Sequence, residues 1–367
     1  MVSTTTADSL SDESRRDGPP SAAPRTRLRN AIALLCVIGI PLAWSRDPQL
    51  VWQPLLPIPL LFMSPRGASR VLALFVIALV VIGGGVTTYR VGMAVPDWPA
   101  TFNENMWTYP LEKMLEEGWG VTLEHLHRLT ATAVGLVSIC VVLTCFIRRS
   151  RLAVTLTAFA TLFAISVQGV LGGTRVLANS QNLAFLHGVL AQAVVALIVV
   201  LAVVASDTWA RTRPTGSKYA RGAIVLGPMV TGVVFAQVAL GAWLRHHGDL
   251  VALMIHATLA LFVIVMVLIQ SKQLGLAASE GKDIGVDRRP LAILQGLLLG
   301  SLIVQFTLGV LATVAIWFIS DGMEAQVSVG EAIFATAHVL VGAVLLSSTV
   351  VGGIYARRAL TPEGETA

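Results

Sequence analysis

The chain has 367 residues, of which 55% are hydrophobic and only 13% charged, with a formal net charge of +5. An average soluble domain carries about 25% charged residues, so this composition excludes an ordinary soluble protein and indicates an integral membrane protein. The basic residues lie mostly in short segments between apolar runs, where they encode topology, and no nucleic-acid partner is expected.

Residues 1–24 are rich in Ser, Thr, Asp, Arg and Pro and have no apolar run, so they read as a disordered cytoplasmic tail. Residues 25–69 read as additional N-terminal membrane segments. Arg25, Arg27 and Arg29 precede an apolar stretch at 32–44 that resembles an uncleaved anchor more than a signal peptide. A second apolar piece, 51–63, contains Pro54, Pro57 and Pro59 and is short for a span, which admits a re-entrant segment. Cys36, Cys140 and Cys145 all fall inside apolar runs, so no disulfide framework or cysteine metal site is implied.

Regular apolar runs then follow near 71–88, 121–147, 152–173, 183–205, 223–244, 250–270, 291–318 and 331–355. Basic clusters occupy every second connection: Arg148, Arg149 and Arg151; Arg211, Arg213, Lys218 and Arg221; Lys272, Lys282, Arg288 and Arg289; and Arg357 with Arg358. The positive-inside rule places these segments and both termini in the cytoplasm, as expected for a multi-pass protein of the cell inner (cytoplasmic) membrane. The predicted fold class is an all-α polytopic membrane protein. It has an eight-helix core of two pseudo-repeated four-helix bundles plus the extra N-terminal apolar pair, about ten spans in all. The bundles are assigned to 70–206 and 223–356, with a cytoplasmic linker at 207–222 and a cytoplasmic tail at 357–367.

The repeat is visible in three places: Gln168 to Gly172, Gln237 to Gly241 and Gln305 to Gly309 each read Gln-x-x-Leu-Gly. From Gln168 to His187 and from Gln237 to His256 the interval is the same, whereas Gln305 to His338 is longer. Such internal repeats in membrane folds bracket binding sites. Four histidines, His127, His187, His256 and His338, fall one to two turns inside successive inward-running spans, hence at similar depth. A single membrane histidine is as readily a hydrogen-bonded core residue as a ligand; four in register point to ligation. Two imidazoles on different helices, with no Cys or Asp nearby to complete a tetrahedral shell, suit the axial positions of a haem better than a zinc site.

The repeat pairs His127 with His187 and His256 with His338. Gly188 and Gly342 would let a flat macrocycle approach, although ordinary helix packing accounts for them equally well. The two sites differ three residues before each histidine, where only the first has an acid: Glu124, against Ala184, Leu253 and Ala335. Glu124 shares a helix face with His127, which marks the first pocket as reactive and the second as an electron relay. His125 points elsewhere and reads as an interface or loop-capping residue. His246 and His247 read as surface residues, and Arg128 and Arg175 as propionate partners or interfacial anchors. Gly92 to Pro99 reads as a lid on the membrane surface.

Over about residues 70–356 these features resemble the heme A synthase family: the eight spans, the Gly92-Met-Ala-Val-Pro-Asp-Trp-Pro99 loop, Glu124-His-Leu-His127-Arg128, and Gln168-Gly-Val-Leu-Gly-Gly-Thr-Arg175. The resemblance implies an oxidoreductase that hydroxylates a methyl group of heme O twice. Loss of water then yields the formyl group of heme A for cytochrome oxidase assembly. It implies Glu124 and His127 as the essential acid and histidine, His187 as the other histidine of the substrate-haem pocket, and His256 and His338 as axial ligands of haem b. Implied partners are heme O, a heme O synthase, an unidentified electron donor and the lipid bilayer, and a homo-oligomer is left open. Some members carry a cysteine pair in an outer loop, which this sequence lacks. A non-catalytic di-haem electron-transfer cytochrome and a membrane transporter are the alternatives.

Overall fold

Why the helices begin where they do is legible at their first residues. Ser64 precedes Pro65, and its Oγ accepts from the Gly67 N–H at 3.2 Å, so a capping hydroxyl and a proline at the first helical position act together. Ser180 caps through Leu183 N–H (3.3 Å) and Ser328 through Glu331 N–H (3.1 Å), the latter in a Ser-x-x-Glu pattern. The resulting elements were described with a computed structural model covering residues 57–248, 250–319 and 326–364.

Eight helices among the described residues are long and apolar enough to cross a membrane. They are α1 (Pro65–Thr88), α2 (Trp119–Ile147), α3 (Leu152–Leu177), α4 (Gln181–Val204), α5 (Ala220–His247), α6 (Leu250–Asp283), α7 (Arg289–Val314) and α8 (Val329–Ala359). A π-helical turn, Ala315–Ile319, continues α7. The protein is an all-α polytopic membrane protein. Its only sheet among the described residues is a parallel pair, β1 (Thr215–Ser217) with β2 (Leu360–Pro362).

Helices α1 to α4 pack in a ring, each against the next and α4 back against α1, and α5 to α8 do the same. The two four-helix bundles meet through α1 and α4 on one side and α5 and α8 on the other. Helix α8 lies in this seam and is the most buried span, whereas α3, α6 and α7 turn most of their surface outward, as lipid-facing helices do. Small residues bring backbones together: Gly227 of α5 crosses Gly353 of α8, and a Cβ at Gly84 of α1 would stand 2.8 Å from Thr336 Cγ2 of α8.

Several elements differ from expectation. Helix α6 runs beyond residue 270 to Asp283 because its later turns still bury Leu274, Ala277 and Ala278 in the second core. Arg288 then clamps that end, donating to Ala277 O (2.9 Å), Glu280 Oε2 (2.9 Å) and Gly216 O (2.6 Å). The expected tail at 1–24 and the apolar stretch at 32–44, with Cys36, lie outside the described residues. Of the piece at 51–63, the described end is a 3-10 helix, Ile58–Phe62, that sets Leu60 into the first core.

Candidate functional site

All four aligned histidines meet a glycine of the preceding helix. A Cβ at Gly83 would stand 2.8 Å from His127 Cε1, at Gly172 2.9 Å from His187 Cε1, at Gly241 3.0 Å from His256 Cε1, and at Gly309 2.9 Å from His338 Cε1. No other residue leaves room for the ring there. Three of these glycines end the Gln-x-x-Leu-Gly repeats; the fourth, Gly83, follows Leu79 and Ile82, so the missing glutamine concealed the first copy. Gly188 and Gly342 serve elsewhere: the first faces His246 Nε2 and the second the Gln305 amide.

The glutamines explain their own spacing. Gln168 Nε2 donates to His187 O (2.9 Å) and sits 3.1 Å from its Nδ1, and Gln237 Nε2 donates to His256 O (2.9 Å). Gln305 contributes at both ring nitrogens: its backbone carbonyl lies 3.1 Å from His338 Nδ1 and its amide 3.2 Å from Nε2. With Nδ1–H donated to the carbonyl, the lone pair of His338 is on Nε2, where it accepts from the Gln305 amide, so a metal at Nε2 would have to displace that amide. His127 has no glutamine, and its Nδ1, like that of His256, has no partner.

His256 and His338 face each other with ring centroids 6.4 Å apart and planes at 70°. One metal ion between two imidazole nitrogens, at about 2 Å from each, separates the centroids by roughly 6–6.5 Å. Among the described residues no three or more His, Cys, Asp or Glu side chains gather as a metal-binding group, so these pairs resemble neither a tetrahedral zinc centre nor a carboxylate cage. The glycine beneath each ring and the spacing of His256 and His338 leave room for a flat group held between two imidazoles.

Glu124 and Arg128 look toward the lid. Glu124 is 1% exposed. Its Oε1 accepts from Arg128 Nη2 at 2.8 Å and its Oε2 from Val95 N–H at 2.9 Å. Arg128 also donates to Val95 O (2.6 Å), Asp97 O (2.7 Å) and Ala100 O (3.2 Å), so its fork is taken up by the loop. An unpaired charge at this depth would be expensive; here the pair and the loop backbone satisfy one another. The expected face-sharing of Glu124 with His127 is therefore not its only orientation constraint, and both of its oxygens are occupied.

The lid, residues 89–118, is further fixed by Trp98, whose indole lies against Gly173 of α3 so closely that a side chain there would collide with it. Asp97 accepts from Phe102 N–H (3.0 Å) and Asn103 N–H (2.8 Å). Burial pushes the Asp97 carboxyl up, but the hydrogen bonds from Asn103 and Phe102, together with the Arg128 charge, hold it below its ordinary value. His125 is fully buried and its Nδ1 lies 3.1 Å from Thr101 Oγ1, the loop-holding role expected for it.

His246 and His247 depart from expectation. They form the last turn of α5: His247 stacks on Trp243, with centroids 4.0 Å apart, and bonds to Asn182 Oδ1 (3.1 Å), while His246 lines a cleft between the bundles. Arg175 lines the same cleft and makes one long contact, to Gly92 O at 3.4 Å. Neither family models, nor curated proteins, nor solved structures yield a match to this chain.

Proposed function

We propose that the protein is a haem-binding membrane oxidoreductase of the heme A synthase type, oxidising a methyl group of heme O to the formyl group of heme A. The observation that carries this reading is the repeated cradle: four imidazoles, each laid on a glycine of the preceding helix, with the His256 and His338 rings 6.4 Å apart. His127 and His187 would hold the substrate haem, and His256 and His338 a resident haem b. A bound haem iron supplies the redox chemistry. The chain's own residues then do three things. Gln168 and Gln305 fix His187 and His338 in register, the glycines admit the rings, and the Glu124–Arg128 pair holds the lid over the first pair and keeps water out. Glu124 is proposed as essential through that positioning, with proton relay requiring its pair with Arg128 to open.

The basic connections support an orientation with the lid outside and both termini in the cytoplasm of the cell inner membrane. Heme O synthase, as the source of a substrate with a long apolar tail, and a separate electron donor are the partners this chemistry needs.

The engaged state of Glu124 favours a second reading, a di-haem electron-transfer cytochrome, because such a protein needs no free carboxylate. One experiment separates them: co-expression with a heme O synthase, followed by chromatography of extracted haems. Heme A or hydroxylated heme O is expected. Folded, haem-loaded protein that returns only haem b and heme O defeats the synthase reading and leaves the cytochrome.

A further inference from the structure

Between the bundles, at the lid end of the helices, lies a cleft of about 480 Å³, of whose lining the haem reading uses only Arg175, as a propionate partner. Its walls carry three guanidiniums, Arg90, Arg175 and Arg245, against one carboxylate, Glu331. Arg175 comes from the first bundle and Arg245 from the second, each about one turn beyond the glycine under a histidine ring. Arg245 donates one nitrogen to Gly84 O (2.9 Å) and to Thr88 Oγ1, and makes no ion pair among the described residues. Glu331 is 5% exposed and its Oε2 has no hydrogen-bond partner. Another part of the wall is apolar, with Val86, Met93 and Ile316.

These features set two demands at once. An excess of positive charge at a membrane-level cleft calls for an anion, and forked guanidiniums match the oxygens of a phosphodiester. A buried carboxylate oxygen without a donor calls for a hydroxyl, since leaving it unmet is costly. A simple anion meets the first demand and repels the second. The apolar wall, at the ends of spanning helices, favours a molecule that also has acyl chains over a free ion.

We propose that the cleft binds an anionic glycerophospholipid whose head group carries hydroxyls, with the phosphodiester on Arg175 and Arg245 and a head-group hydroxyl donating to Glu331. The lipid then spans the seam and ties the two bundles together from the lid end.

The test uses the full chain in nanodiscs of phosphatidylcholine containing a minor fraction of phosphatidylglycerol or, separately, phosphatidic acid, which lacks the head-group hydroxyls. Lipid retained per chain after detergent extraction is counted by native mass spectrometry. Wild type is expected to retain phosphatidylglycerol in preference to both other lipids. The Arg175→Gln/Arg245→Gln pair should lower that retention by about tenfold or more, while Arg175→Lys/Arg245→Lys keeps most of it. Glu331→Leu, which removes the acceptor, should erase the preference over phosphatidic acid and spare the preference over phosphatidylcholine, so the idea is testable even if the double glutamine variant does not fold. Equal retention of phosphatidylcholine and phosphatidylglycerol overturns it. So does displacement by inorganic phosphate, which would mark a free-anion site, or displacement on haem loading, which would give the guanidiniums to haem carboxylates.

Discussion

Each glycine beneath a histidine ring can be tested singly. At Gly172 or Gly309 an alanine Cβ would press into Cε1 of the ring, and the shift it forces costs about 1–3 kcal/mol in a packed core. Gly172→Ala and Gly309→Ala should therefore each lose haem from their own pair, seen as a reduced Soret band per chain. Gly135 in α2 is the control: a Cβ there meets nothing, so Gly135→Ala should keep the full band and gain up to roughly 1 kcal/mol from helix propensity. At the same scale the sequence was informative but incomplete. Four histidines and three glutamines were readable from spacing, yet Gly83 was hidden because Leu79 stands where the other copies have glutamine. The partners of Glu124 were also illegible, because they are backbone groups of a loop nearly 30 residues away in sequence, and helix periodicity says nothing about those.

At the level of elements, the lid is held to α2 by one buried ion pair and its backbone bonds. Glu124→Ala should leave Arg128 charged and unpaired, at a cost of about 3–5 kcal/mol, and should expose the 89–118 loop to protease at temperatures where wild type resists. Glu124→Gln keeps an acceptor for Val95 N–H and should sit between the two. Haem turnover is expected to fall in both; wild-type turnover in either would end the positioning role. Asp97 adds a pH dependence of definite sign. Its folded pKa is lowered, so its contribution to the loop is complete above the unfolded value of about 3.9 and fades as pH drops through the folded value below that. Lid protection against protease should therefore decline in acid, and Asp97→Asn should flatten that decline. The span boundaries followed from hydropathy, whereas the overrun of α6 did not, because the residues past 270 are mixed in polarity and are held by packing against the second core and by Arg288.

For the whole molecule, two rings of four helices share one seam, and the most buried helix, α8, belongs to it. The seam is built on absent side chains. Gly84→Leu should push α1 from Thr336 of α8 and lower the melting temperature of the assembly, with both haem pairs affected together, in contrast to the local effects of Gly172→Ala and Gly309→Ala. Loss of only one haem in Gly84→Leu would show that the bundles fold independently. The two-bundle architecture could be anticipated from the repeat and the alternation of basic connections. Which helices form the seam could not, since α4 inside it and α6 outside it have similar hydropathy, 2.5 and 2.7, and only side-chain size at the crossing points distinguishes lipid from protein as a neighbour.

The four imidazoles are not held equally. His187 and His338 have a ring nitrogen tied to glutamine, His256 has its backbone carbonyl held by Gln237, and His127 has neither. Each pair thus joins a ring fixed at a nitrogen, His187 or His338, to a ring whose Nδ1 is free, His127 or His256. Were a flat group held between the two rings of a pair, its release would begin with the turning of His127 or His256, the rings that give up no hydrogen bond by moving.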